Sequence, residues 1–139
     1  MVRMRVEYLG SLRTRATHGP SAATLITDAP VDNHGKGEAF SPTDLLATSL
    51  ATCMITVMGI AAGKRDLVLD GTVVEVEKHM TTSGPRRVGR LDVRVEIPAE
   101  RAAVIDAEAR KALELAGDTC PVRLSLSDGI EVNVSYVWQ

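Results

Sequence analysis

The stretch SPTDLLATSLATCMITVMGIAAG, Ser41 to Gly63, decides how this chain folds. It opens as a helix should: Ser41 is placed to act as N-cap, Pro42 takes the first helical position where its missing N–H costs nothing, and Asp44 completes a capping-box-like pattern. From Leu45 to Gly63, nineteen residues then pass without a charge, enough for a membrane-spanning helix. Thr48, Thr52 and Thr56 at helical spacing, together with Ser49, Gly59 and Gly63, argue against lipid, and the flanking segments carry ordinary soluble patterns. The expectation is a central helix in a soluble protein, covered on most sides. In a chain of 139 residues one sheet covers only one side, so a second copy of the chain is expected to cover the rest.

The bounds on function are set by size and charge. The length fits one domain, residues 1–139, with a real core. Net charge is -2 with acids and bases interspersed, which speaks against nucleic-acid and membrane-surface partners. MVRMRVEYLG lacks the continuous apolar core of a signal peptide, so a cytoplasmic location is expected, and there the two cysteines rest reduced. His18, His34 and His79 are scattered, and neither CxxC nor HxxxH spacing occurs, so no metal site and no cofactor is expected. HGKGE at 34–38 does not lead a strand into a phosphate-binding loop, and the GxSxG elbow of serine hydrolases is missing.

Around the central helix the pattern predicts an α+β fold in the order βββ-α-ββ-α-β, with antiparallel sheets. Val2, Met4, Val6 and Tyr8 alternate with charges in a first strand over 2–9, and Leu12 to Thr17 and Ala22 to Thr27 complete an N-terminal meander. Asp28 to Phe40 reads as a long loop, flexible around HGKGE. Thr72 to Met80 and Val88 to Ile97 form a hairpin, with Val74, Val76, Leu91, Val93, Val95 and Ile97 inward. A second, amphipathic helix fits Ala99 to Ala116 with Gly117 as its cap, and the alternation from Ile130 to Trp138 closes the fold as a strand.

Chemistry comes down to Cys53 and Cys120. Cys53 lies mid-helix, away from the positive helix end, so a reactive thiolate there requires a cation from elsewhere. Cys120 lies in GDTCPV, where Cys-Pro opens a short helical turn with the thiol at its N-terminus. Composition by itself accounts for both as small buried hydrophobes. SPTDLLATSLATC followed some seventy residues later by CPV, in a chain of this size and element order, resembles the OsmC/Ohr family of thiol-dependent hydroperoxide reductases.

The resemblance covers nearly the whole chain, and it implies an intertwined homodimer with packed central helices and active sites at the subunit interface. It assigns Cys53 as the thiol that attacks the peroxide and Cys120 as the thiol that resolves the sulfenic acid into a disulfide, which an external dithiol then reduces. It also implies an arginine from the N-terminal strands against the reacting sulfur. Arg13 and Arg15 are the candidates, two residues apart on one strand face, with Arg13 preferred and a solvated strand charge as the plain alternative for either. Where the hydroperoxide reductase branches carry a glutamate after the helix-start proline, this chain has Thr43; Glu38 in the preceding loop is the candidate substitute, with a solvent-facing loop carboxylate as the plain alternative. The expected function is reduction of organic hydroperoxides or hydrogen peroxide. The rival from another class is a non-catalytic dimer that binds a small apolar or thiol-bearing ligand.

Overall fold

Ser41 and Asp44 close the capping box expected of them: Ser41 N–H donates to Asp44 Oδ2 at 2.8 Å, and Asp44 N–H donates to Ser41 Oγ at 3.1 Å. From this start α1 runs over Pro42–Gly63 in a computed structural model that describes residues 1–139. The chain falls into two compact units, Met1–Leu46 and Ala47–Gln139.

The first unit carries the expected meander, with β1 over Met4–Gly10, β2 over Arg13–His18 and β3 over Thr24–Thr27, all antiparallel. Met4, Val6 and Tyr8, the apolar side of the alternation in β1, are exposed in this chain. The long loop after β3 is more ordered than its composition suggests. It contains a 3-10 turn at Val31–Asn33, and Gly35 and Gly37 donate backbone hydrogen bonds to Pro30 and Ala29. Gly35 has no substitute there, because a Cβ would stand 1.7 Å from the carbonyl oxygen of Ala29.

The second unit contains most of α1, then β4 over Val73–Met80, β5 over Val88–Ile97 and β6 over Glu131–Trp138. Leu91, Val93, Val95 and Ile97 are buried as expected. Antiparallel pairing holds for β4 with β5 and is corrected at β6, which lies parallel to β5 with Leu91 beside Val132 and Ile97 beside Trp138. The reason is the connection: the helices between β5 and β6 return the chain to the start of the sheet, and such a crossover delivers a parallel strand.

Those helices also differ from the single expected one. They are α2 at Ala99–Ala102, α3 at Ala107–Asp118 and α4 at Pro121–Ser125. The break comes from Asp106, which is extended and accepts the Ala109 amide as the N-cap of α3. Arg110 reaches back to the carbonyls of Ile105 and Ala102 and ties the start of α3 to the end of α2.

Gly117 is not a cap. It lies buried inside α3, where a Cβ would stand 2.9 Å from the Tyr136 hydroxyl and 3.1 Å from Met58 Sδ. Gly117→Ala should therefore destabilise the protein by about 1–2 kcal/mol, since an overpacking cost of about 1–3 kcal/mol outweighs a helix-propensity gain of up to about 1. A denaturant midpoint equal to or above that of the parent would show that α3 tolerates the added methyl.

α1 is long and apolar enough to cross a membrane by length and composition. One stripe of it, Ala47, Leu50, Ala51, Met54, Met58 and Ala62, is buried, and Met58 packs against α3 at Gly117. Thr52, Thr56, Gly59 and Ile60 on the other side are exposed, an uncharged face of mostly small residues.

Candidate active site

Cys53 sits at the middle of α1, one residue before the buried Met54, and is half-buried, whereas Cys120 is fully buried. Cys120 is the N-cap of α4, with Pro121 in the first turn, so the short helical turn expected after Cys-Pro is present. Both cysteines are free thiols. The fold brings them together: burial first, and then the Cys53 thiol as hydrogen-bond partner and charge, push the Cys120 pKa up. The backbone amides of Arg123 and Val122 pull the other way. Burial therefore favours the protonated form of Cys120, and its neighbour Cys53 is the less buried of the two thiols.

The turn that carries Cys120 is clasped from both sides. Asp118, the last residue of α3, accepts the Tyr136 hydroxyl of β6 at 3.1 Å and lies 3.8 Å from Arg123 of α4. Tyr136 also donates to the Glu114 carbonyl at 3.1 Å. Burial, with Asp118 beside it, raises the Tyr136 pKa far above that of an ordinary phenol, so the hydroxyl stays a donor. The sequence places Tyr136 only in the alternation of the closing strand, because its partner lies eighteen positions back on another element.

In the first unit, Arg13 and Arg15 separate clearly. Arg15 is exposed and makes no ion pair. Arg13 is about one-third exposed and is paired with two carboxylates, Asp28 Oδ2 at 3.4 Å and Glu38 Oε2. Glu38 is thus one of two carboxylates paired with the Arg13 guanidinium. Thr43 is taken up by the cap, 3.0 Å from the Ser41 hydroxyl.

Asp28 is the residue that sequence reading missed. Its signal was register: Thr14 pairs with Thr27, which sets Arg13 across from Asp28. Asp28 is 1 % exposed, and its carboxyl pKa is lowered chiefly by the Glu38 amide that donates to Oδ2 at 3.1 Å, with Arg13 adding to it and burial opposing. A folded pKa below the ordinary 3.8 means that Asp28 contributes its full stabilisation above that value and loses it as pH falls through the folded pKa. Asp28→Asn should be less stable than the parent at neutral pH, with the difference shrinking as the solution is taken from about pH 5 towards pH 2. Denaturant midpoints across that range check this, and a gap independent of pH would contradict it.

Residues 35–135 match the family described as OsmC-like protein. Among solved structures, a protein from Psychrobacter arcticus assigned to the osmotic stress and detoxification response is 45% identical, with 98% of this chain and 96% of that one covered and a TM-score of 0.89. An organic hydroperoxide resistance protein OsmC from Legionella pneumophila has a TM-score of 0.75 at 15% identity, over 99% of this chain and 96% of that one. The organic hydroperoxide resistance protein OhrB of Bacillus subtilis has a TM-score of 0.68 at 14% identity, over 98% and 97%. No match is found among curated proteins.

Proposed function

The chain belongs to the OsmC-like family, and from that membership we propose a cytoplasmic, homodimeric hydroperoxide reductase that works through two cysteines. The observation that carries the proposal is the pairing of a half-exposed Cys53 with a buried, proton-holding Cys120. In the first step the Cys53 thiolate attacks one peroxide oxygen, the O–O bond breaks, and the departing oxygen takes a proton to leave as alcohol or water. Cys53 is oxidised to sulfenic acid and the peroxide is reduced. In the second step the Cys120 sulfur attacks the Cys53 sulfur; the S–O bond breaks, the hydroxyl leaves with the Cys120 proton as water, and a disulfide forms. An external dithiol returns both residues to thiols by exchange.

The division of labour follows from exposure. A peroxide reaches Cys53, while Cys120 is sealed from solvent and meets only the oxidised neighbour. Arg13 takes the role that the resemblance implies, stabilising the thiolate and the negative charge on the departing oxygen, with Asp28 and Glu38 fixing its guanidinium. The exposed Met4, Val6 and Tyr8 of β1 and the uncharged outer face of α1 support the second copy of the chain as their cover. The test is turnover: the protein with cumene hydroperoxide and dithiothreitol should consume both reagents together at a rate proportional to protein. Consumption no faster than in buffer would leave a binding dimer as the better account.

A further inference from the structure

The outer face of the β4-β5-β6 sheet holds a cluster that peroxide chemistry does not use. Glu77 and His79 stand two apart on β4 and so share a face, and the register sets Glu77 opposite Asp92 on β5. His79 Nε2 lies 2.8 Å from Asp92 Oδ2 and 3.8 Å from Glu77 Oε2, and the donor atoms of the three residues all lie within 4.8 Å of one another. Although so close to two carboxylates, Nε2 is shielded from solvent and has no partner with hydrogen-bond geometry. Asp92 is oriented from behind: Asn133 on β6 donates to its Oδ1 at 2.9 Å and to Glu131 at 2.9 Å, which leaves Oδ2 turned towards the histidine.

We propose that Glu77, His79 and Asp92 form a divalent transition-metal site, with Zn2+ as the ion that suits this donor set. Ligand bonds of about 2.0–2.2 Å in a tetrahedron place donor atoms roughly 3.4 Å apart, within the span found here. One neutral imidazole and two carboxylates balance the ion's charge, and water takes the fourth position. An imidazole selects Zn2+ over the hard cations Mg2+ and Ca2+, which prefer oxygen alone. Asn133 supplies the outer support that metal-ligating carboxylates usually have. Arg90 is the competitor, since its Nε donates to Asp92 Oδ2 at 3.0 Å; its half-exposed side chain is free to swing out when the ion takes that oxygen. Spacing along the chain hid the site, because its ligands come from two strands that only the hairpin brings together.

The test is calorimetric titration of the full chain with ZnCl2, beside His79→Ala, Arg90→Gln and a chain with both cysteines replaced by serine. One Zn2+ per chain should bind at micromolar concentration, persist without the thiols, weaken at least about tenfold in His79→Ala and tighten in Arg90→Gln. Circular dichroism checks that the variants fold. Binding that survives His79→Ala unchanged, or that vanishes with the cysteines, would overturn the assignment.

Discussion

Cys53→Ser should lose hydroperoxide turnover entirely, whereas Cys120→Ser should complete one oxidation and stop. The asymmetry follows from the positions of the two sulfurs. Cys53 is half-buried, and a serine hydroxyl there has no thiolate with which to attack the O–O bond. Cys120 is fully buried with a raised pKa, so under the proposed mechanism its loss should leave the first step intact and remove the resolving thiol. The Cys120→Ser protein should therefore accumulate sulfenic acid on Cys53, trapped by dimedone as one adduct per chain. With excess peroxide it should pass on to sulfinic and sulfonic acid. Equal residual turnover in the two variants would contradict the division of roles.

Arg13→Ala should lower the rate of the first oxidation by about a hundredfold or more, the size of effect found when a preorganised donor to a developing oxyanion is removed. Arg15→Ala should stay near the parent, because Arg15 is exposed and unpaired. The contrast separates a role in chemistry from general loss of positive charge, since both variants lose the same charge. Arg13→Lys separates it from loss of the fold. Lysine restores an ion pair with Asp28 and Glu38 yet lacks the planar fork, so stability should recover while the rate recovers only in part. Stopped-flow oxidation of single-turnover samples reads the rate directly, and full rate recovery with lysine would argue for a purely structural arginine.

The features legible in the sequence were those with a local cause. The α1 start was visible because Ser41, Pro42 and Asp44 are a complete cap in four residues, and the hairpin of β4 and β5 was visible because its alternation has period two on both strands. Arg13 and Glu38 were named from resemblance, and their contact lies within the first unit. Features set by distant partners were not legible. The parallel setting of β6 depends on where three helices deliver the chain, and the N-cap role of Asp106 was hidden inside an amphipathic stripe that continues across it. Gly117 looked like a helix stop, because nothing local reveals that Tyr136 and Met58 approach it so closely that an added Cβ would push them aside. Asp28 looked like an ordinary loop acid for the same kind of reason: its burial and its arginine come from strand register.

The most direct test of the account is the fate of the two thiols. Reduced protein given one equivalent of hydroperoxide per chain should lose both free thiols within minutes, and peptide mapping without reductant should recover Cys53 and Cys120 in a single disulfide-linked pair from one chain. An unchanged thiol count, or a disulfide joining two chains through Cys53, would contradict it.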